Sequence, residues 1–359
     1  MFFIITNYCK TAEQFLRMKI SQITFTRFLA AVAIVISHFN KDMFVYKTDY
    51  ISNIFLKANV GVSYFFILSG FIMIVAYHKK DKIEYFGYYK NRFARIYPLY
   101  VVGLLLYLVT RFSNFNPGDS FLYLFGLQSW IPGKAMILNF PGWSISVEFL
   151  FYLIFPVLYN YFYSRKNKSI WVAGIVLWIV TQVFSHLYEA SPSYKGPHTE
   201  SHEFLYYFPL MHVSEFLVGN LAGLFFVNHP KQKNYDVPVI LVFAAVMLSL
   251  IFVPLFYHNG LMAVLFIPLI LLISWNNGLL TRILSLKPLE YLGEASYAIY
   301  ITHIPILYIL REILKWQNYK LNINSVFWIY MAVLMITSIF FYQFIEKPLR
   351  DYLKKINVR

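Results

Sequence analysis

The sequence predicts an all-α integral membrane protein, a single bundle of about ten transmembrane helices with both termini on the cytoplasmic side. Of its 359 residues, 59% are hydrophobic and only 13% are charged, whereas a soluble globular protein is normally about a quarter charged. The apolar residues form runs long enough to cross a bilayer. The basic residues, which give a net charge of +14, cluster between alternate runs, as the positive-inside rule expects.

Ten apolar segments have the length of a membrane span, and each is predicted to be helical because lipid offers the backbone no hydrogen-bonding partner. They lie near residues 21–39, 59–78, 96–111, 146–163, 170–187, 206–227, 237–256, 260–275, 296–314 and 325–344. Several contain proline, so we expect kinks and soft boundaries. A further apolar stretch, 120–131, is too short to span and is predicted to lie in an outer loop, re-entrant or at the interface.

The loop charges predict the orientation of these spans. With ten spans and both termini inside, the basic clusters fall on the cytoplasmic side. These clusters are Lys79, Lys80, Lys82, Lys90, Arg92 and Arg95; Arg165, Lys166 and Lys168; Lys231 and Lys233; Arg282 and Lys287; and the tail from Lys347 to Arg359. Lys315 and Lys320 fall on the outer side and fit less well. We therefore expect a cytoplasmic or interfacial segment 1–20, a transmembrane domain 21–346 and a basic cytoplasmic tail 347–359.

The composition argues against several classes of function. The basic residues are distributed over the loops of a membrane protein, so we expect no nucleic-acid partner. The single cysteine, Cys9, excludes an intramolecular disulfide framework and a cysteine-based metal site. The sequence HTESHE at 198–203 lacks the HExxH spacing, so no metal site is predicted. The apolar N-terminus has no basic leader or small-residue cleavage site, and we expect no cleavable signal.

The first predicted span carries two ionisable residues, which are costly in hydrocarbon. Arg27 and His38 are 11 residues apart, which on a helix is three turns plus about 20°, so both lie on one face, separated along the axis by roughly 16 Å. The alternatives without a functional role are that the Arg27 side chain extends to the lipid headgroups and that His38 caps the helix end. Together on one face, they favour a functional site.

Two further polar groups lie at the ends of the third and fourth predicted spans. Arg92 and Arg95 point the same way on a helix start, where Pro98 suits the first turn or a kink, and paired guanidiniums over a helix N-terminus suit phosphate groups. A positive-inside anchor explains them equally well. Glu148, predicted near the outer face, orients a histidine or pairs with an arginine; the alternative is a carboxylate favoured by the helix dipole.

Other candidates are weaker when taken singly. His303 in the ninth span and Glu215 in the sixth are buried ionisable residues, more often structural than functional. Ser69 and Gly70 form a small-residue notch for close helix packing, and we also include Ser69 among the candidate substrate-binding residues. Trp143, which precedes Glu148, is a candidate for stacking on a sugar ring.

The order of these pieces is more specific than any one of them. The sequence contains, in this order, RFLAAVAIVISH, GVSYFFILSGFIM, RFARIYPLY, GWSISVEFLFY, ASYAIYITHIPI and FIEKPLR. This series resembles the acyltransferase-3 family, integral membrane acyltransferases that include bacterial O-antigen and exopolysaccharide O-acetylases. The resemblance runs from about residue 21 to residue 352, nearly the whole chain.

The resemblance carries family positions onto particular residues of this chain. Those that match are Arg27 and His38 (an arginine and a histidine separated by ten residues), Arg92 and Arg95 (Arg-x-x-Arg), Glu148 (Trp-Ser-x-x-x-Glu) and His303 (Ser-Tyr-x-x-Tyr-x-x-His). Ser63 departs from the family, in which many members carry Asp at that position. Many members also continue into an extracytoplasmic esterase-like domain, whereas this sequence ends after its last predicted helix, so we expect it to act alone or with a separate partner.

The family's activity implies a donor, an acceptor and a location. The expected donor is cytoplasmic acyl-CoA, with acetyl-CoA first, and no cofactor is bound permanently. The expected acceptor is a hydroxyl of a surface polysaccharide or lipid-linked sugar beyond the bacterial plasma membrane. Arg92, Arg95 and Arg27 would bind the donor, and His38 would act as general base or acyl carrier, with Glu148 or His303 orienting it and His303 also contacting the sugar.

Two other classes of protein fit the same composition. In a transporter or flippase for a glycan or anion, Arg27, Glu148 and His303 would form a relay, but the sequence shows no inverted halves. In a glycan polymerase or ligase, Arg92 and Arg95 would bind the pyrophosphate of a lipid-linked sugar. Transfer of an acyl label to a glycan separates the acyltransferase from both.

Overall fold

The fold is a bundle of helices, seen in a computed structural model that describes residues 22–165, 168–253, 258–319 and 321–355. Its helices are α1 (Gln22–Phe39), α2 (Asp49–Leu56), α3 (Val60–Tyr77), α4 (Tyr85–Arg111), α5 (Pro117–Leu124), α6 (Gly142–Leu158), α7 (Ser169–Glu189), α8 (Glu200–Tyr207), α9 (Val213–Asn228), α10 (Asp236–Phe252), α11 (Ala263–Trp275), α12 (Leu279–Leu284), α13 (Lys287–Glu294), α14 (Ser296–Trp316), α15 (Ile323–Phe341) and α16 (Lys347–Lys355). No strand longer than an isolated bridge is present within these ranges. An all-α protein was expected, and the described residues agree.

All ten segments predicted to span the membrane contain a helix. In the described ranges, 8 helices are long and apolar enough to cross a bilayer, and the protein is a multi-pass membrane protein. The predicted seventh and eighth spans form the shorter apolar helices α10 and α11, of 17 and 13 residues. The ten-span count and the orientation stay predictions, as do the domain boundaries. Residues 1–20, Lys166, Lys320 and the end of the tail lie outside the described residues.

The apolar stretch 120–131, predicted to be too short to span, folds as α5 and a 3-10 turn, Gln128–Trp130. Gln128 is fully buried, and its side-chain amide donates to the Tyr100 hydroxyl at 3.0 Å and to the Gly142 carbonyl at 2.9 Å. These bonds join the segment to α4 and α6. The stretch is therefore part of the packed bundle, at the start of the helix that carries Glu148.

The closest helix contact in the bundle centre is between α3 and α9, where glycines replace side chains. A Cβ added at Gly70 would overlap the Phe216 carbonyl oxygen, and one added at Gly219 would overlap the Ile67 carbonyl oxygen. Helices in lipid associate through such small-residue contacts because apolar burial alone does not drive them together. The notch predicted at Ser69–Gly70 is thus confirmed as a packing site, with Gly219 as its unpredicted partner.

We expect Gly219→Ala to lower the free energy of unfolding by about 1–3 kcal/mol, since overpacking a backbone contact forces the two helices apart. Gly174→Ala on α7 is the matched control, because its added methyl would meet only the flexible end of the Leu221 side chain, at 2.9 Å. Denaturant titration of both variants in detergent, followed by tryptophan fluorescence, measures the difference. Equal stability of the two variants would contradict the close contact.

Candidate active site

A cavity of about 80 Å³ lies between α1, α3, α4, α6 and α14. The polar and charged residues of the predicted motifs that line it include Arg27, Ser69, Arg92, Arg95, Ser144 and Glu148. Tyr152, Tyr297 and Tyr300 also line it. Residues that are far apart in the sequence, on separate predicted spans, thus meet at one place, and five of the eight predicted site residues are among them.

Arg92 is held in the cavity wall by tyrosine rings rather than by carboxylates. Its guanidinium carbon lies 5.9 Å from the centroid of Tyr77, 5.7 Å from that of Tyr88 and 5.9 Å from that of Tyr152. Its buried Nε has no hydrogen-bond partner among the described residues. Cation–π contacts orient a guanidinium without neutralising it, so Arg92 keeps its charge and a spare donor for an anion.

Glu148 accepts a hydrogen bond from the Tyr152 hydroxyl at 3.1 Å. The ion pairs found in the described ranges do not include Glu148. Glu346, on the π-helical turn after α15, is a second buried carboxylate and lies 3.9 Å from the Arg350 guanidinium. Even with this second carboxylate counted, the three arginines of the cavity outnumber the acids around it, and the cavity is suited to an anionic ligand.

The sequence predicted that Glu148 and the arginine pair lie at different depths in the membrane, and this prediction was wrong. Glu148 was expected near the outer face and Arg92 and Arg95 at the opposite end of their span, yet all three line one cavity. The helices begin earlier than hydropathy indicates. Helix α4 starts at Tyr85, so the arginines lie two to three turns inside it and Pro98 is in its interior, not in its first turn.

His38 and His303 form a pair behind Tyr300, one of the residues that line this cavity. His38 Nδ1 lies 3.0 Å from His303 Nε2, and their rings are nearly parallel, at 9°. His303 is fully buried, and its Nδ1 lies 2.5 Å from the Tyr300 carbonyl oxygen. Since a carbonyl only accepts, His303 Nδ1 donates to it; in a neutral pair His303 Nε2 then accepts from His38 Nδ1. His38 Nε2 is left with its lone pair, as a general base requires.

The two polar residues of α1 thus serve different parts of the site. Arg27 lines the cavity, whereas His38 lies behind the wall that Tyr300 forms, between His303 and the ring of Phe140. Of the two residues expected to orient His38, the structure brings His303 to it, while Glu148 lies among the arginines.

Trp143 is only 6% exposed, with its ring centroid 4.8 Å from that of Tyr207 and 5.5 Å from that of His212. The ring is thus packed against these neighbours at tilted angles. Ser69 lines the cavity, as a substrate-binding residue should. The functional roles of both residues stay predictions.

Sequence reasoning missed a second buried network beside this site. Ser63, where many family members carry Asp, donates to Glu215 Oε1, and His212 Nδ1 lies 2.6 Å from Glu215 Oε2. His212 Nε2 lies 2.9 Å from the Tyr206 carbonyl oxygen. With His212 2% exposed and Glu215 0% exposed, this is a buried, hydrogen-bonded pair. The i, i+3 spacing of His212 and Glu215 was the available signal.

Comparison with known proteins places the chain among acyltransferases. A family described as an acyltransferase domain matches residues 20–343. The chain is 28% identical to Acyltransferase MdmB of Streptomyces mycarofaciens, over 81% of this chain and 79% of that protein. It is 27% identical to the putative peptidoglycan O-acetyltransferase YrhL of Bacillus subtilis, over 81% of this chain and 50% of that protein.

A third relative, the peptidoglycan O-acetyltransferase OatA of Listeria monocytogenes, is 24% identical over 95% of this chain and 57% of its own length. The chain thus spans most of MdmB but only about half of the two peptidoglycan enzymes. No solved structure matches.

Proposed function

Because the chain belongs to the acyltransferase-3 family, and is therefore an acyltransferase, we propose that it moves an acetyl group from cytoplasmic acetyl-CoA to a hydroxyl of an extracytoplasmic or lipid-linked glycan. One observation carries the proposal. A cavity lined by arginines lies next to a histidine pair, and His38 Nε2 of that pair keeps a lone pair with which it can act as a base. Such a site suits an anionic donor and an alcohol acceptor.

The charge of the cavity supports an acyl-CoA donor. Coenzyme A carries phosphates at one end and the thioester at the other. In this proposal Arg92 and Arg95 bind the donor's diphosphate, and Arg27 guides the arm toward the histidines. Arginine suits this role because its planar fork binds phosphate oxygens in a bidentate manner.

The histidine pair supplies the proton transfer. His38 Nε2 takes the proton of the acceptor hydroxyl while the hydroxyl oxygen attacks the thioester carbonyl carbon. A C–O bond forms, the C–S bond breaks, and the proton passes to the departing thiolate. The imidazolium that forms on His38 keeps its bond to His303, which holds the ring in position, much as an acidic residue does in hydrolase triads. If His38 itself carries the acyl group, the same nitrogen is the nucleophile.

The names of two relatives support a glycan acceptor, since both are O-acetyltransferases of peptidoglycan, one of them putatively. We place the chain in the bacterial plasma membrane with ten spans and both termini inside, so that the N-terminal half of α4, which carries Arg92 and Arg95, faces the cytoplasmic donor. The acceptor then approaches from the outer side, where α1 ends close to His38.

The direct test uses acetyl-CoA labelled in the acetyl group, the full chain in proteoliposomes, and a soluble glycan acceptor outside. We expect label in ester linkage on the glycan, released by mild base. Movement of glycan or anion across the membrane without esterification would instead indicate a transporter and overturn the proposal.

We expect Arg92→Ala combined with Arg95→Ala to raise the KM for acetyl-CoA by about tenfold or more, because each charge-assisted bond to phosphate contributes about 1.5–3 kcal/mol. The KM for the acceptor should change little. Arg282→Ala, an exposed arginine on α12, is the control. Initial rates against each substrate measure both constants, and an unchanged KM for the donor would make the pair a topological anchor only.

A further inference from the structure

We propose that a second, basic cleft next to the arginine-lined cavity binds a phosphate ester, and that its occupant is the phosphorylated adenosine end of the acyl donor. The cleft has a volume of about 810 Å³ and lies between the loop that joins α3 to α4 and the turn that follows α6. This assignment rests on the proposed donor. The same chemistry is offered by the headgroup of an anionic lipid, so the experiment separates the two sources.

The cleft is strongly positive. Its cationic lining residues are Lys79, Lys80, Lys82, Arg165 and Lys168, against the single carboxylate of Asp81. None of the ion pairs in the described part of the chain involves these cations. Trp171 and Tyr85 also line the cleft and are of the residue types on which a nucleobase stacks.

The loop that carries three of the lysines is fixed in place by buried side chains. Tyr159 Oη lies 2.6 Å from the Tyr77 carbonyl oxygen and 2.7 Å from that of Lys80. Asn160 accepts from the Ile83 amide at 2.7 Å and donates to the Ile83 carbonyl at 2.9 Å. Both side chains come from a π-helical turn, Tyr159–Tyr163, a rare local structure that is frequent at functional sites.

This fixed backbone distinguishes a binding site from a simple topological signal. The positive-inside rule depends on the number of lysines and arginines near the membrane and not on the conformation of the loop. A loop that contributes only its charge does not need these four hydrogen-bonding contacts, three of which are buried. A loop held in one conformation is expected of a binding site, because preorganised cations lose less entropy when a ligand binds.

The cleft and the arginine-lined cavity are neighbours. The Tyr77 ring lies 5.6 Å from Lys80 Nζ, in the cleft, and 5.9 Å from the Arg92 guanidinium, in the cavity wall. Consecutive residues of α3 line the two spaces, Met73 the cavity and Ile74 the cleft. A cavity of about 80 Å³ is too small for a nucleotide, whereas the cleft of about 810 Å³ is not. A long donor with its adenosine in the cleft and its diphosphate at Arg92 and Arg95 in the cavity fits both.

The test measures binding of adenosine 3′,5′-bisphosphate to the full chain in nanodiscs of phosphatidylcholine alone. We expect the triple variant Lys79→Gln, Lys80→Gln and Lys82→Gln to weaken binding by about tenfold or more, as loss of charge-assisted phosphate contacts predicts. The triple variant Lys41→Gln, Lys47→Gln and Lys315→Gln, which removes the same charge from exposed positions outside the cleft, should bind as the unmodified chain does.

A second variant separates the fixed loop from its charge. Asn160→Ala leaves every lysine in place but removes the two bonds to Ile83, and we expect it also to weaken bisphosphate binding. A second arm repeats the comparison in nanodiscs that contain phosphatidylglycerol. One result would identify a lipid headgroup as the occupant and overturn the assignment to the donor. In it, neither the unmodified chain nor any variant binds the bisphosphate, and the triple variant of the cleft lysines no longer enriches phosphatidylglycerol around it.

Equal behaviour of the two triple variants in both arms would overturn the proposal. Failure of the donor proposal looks different. If the chain binds the bisphosphate at the cleft but esterifies no glycan, the cleft is still a nucleotide-binding site. Only the proposed reaction is then wrong.

Discussion

Replacing His38 by alanine is expected to lower the rate of acyl transfer by about a hundredfold to ten-thousandfold, the range that a positioned general base contributes. Three of the four nitrogens of the histidine pair are hydrogen-bonded: His303 Nδ1 to the Tyr300 carbonyl, and His38 Nδ1 to His303 Nε2. His38 Nε2 has no hydrogen-bond partner among the described residues. No nearby group in the described chain offers the same lone pair at that position. The loss should therefore fall on kcat, with the KM for acetyl-CoA almost unchanged.

The rate is measured as label transferred from acetyl-CoA to the glycan, at equal amounts of membrane-inserted protein. His229→Ala, at an exposed position just after α9, is the matched control and should keep full activity. His303→Ala tests the positioning residue: we expect a smaller fall in kcat and a changed pH profile, since His38 then loses the partner that sets its tautomer. Full activity of His38→Ala would remove this residue from the reaction.

Replacing Glu215 by alanine is expected to destabilise the protein by about 3–5 kcal/mol, the cost of leaving a buried charge without its partner. Glu215 is fully buried, accepts from the Ser63 hydroxyl and contacts His212 Nδ1 at 2.6 Å. Both nitrogens of His212 face acceptors, so without the carboxylate one of them loses its bond in the bundle interior.

The measurement is the free energy of unfolding in detergent, with Glu312→Ala as the control. Glu312 forms an ion pair with Arg111 at 3.0 Å, but its side chain is 46% exposed, and such surface pairs contribute at most about 1 kcal/mol. The double variant His212→Ala with Glu215→Ala should lose less than the sum of the two single variants, because they share one interaction. Equal effects of Glu215→Ala and Glu312→Ala would contradict a buried pair.

Much of the fold could be predicted because a bilayer leaves few choices. Segments such as 59–78 and 296–314 must be helical in lipid, and the structure places α3 and α14 there. Hydropathy fails at helix ends, however, because a helix continues through polar residues once the bundle or the interface supports it. The start of α4 at Tyr85, eleven residues before the predicted span, is the clearest case.

The candidate site could be predicted as a set of residues but not as an arrangement. His38 and His303 were each singled out, yet only their packing reveals the 3.0 Å contact across 265 residues of sequence. Glu148 was expected to orient a histidine or to pair with an arginine, and it lies among the arginines. Only its depth was wrong, because depth in the membrane was inferred from span boundaries. The role of Ser63 was hidden, since its partner Glu215 lies on α9 and periodicity carries no information about which helices touch.

The contact between α1 and α14 also has a consequence for biosynthesis. At 5–20 residues per second, the ribosome needs between about 10 and 50 seconds to make the 265 residues that separate the two histidines. Throughout that interval His38 lacks its partner His303, whereas α3, α4 and α6, which line the cavity with Arg27, are made earlier. A nascent chain that stops before α14 therefore lacks the histidine pair, and the proposed base has no partner to set its tautomer until this late helix is made.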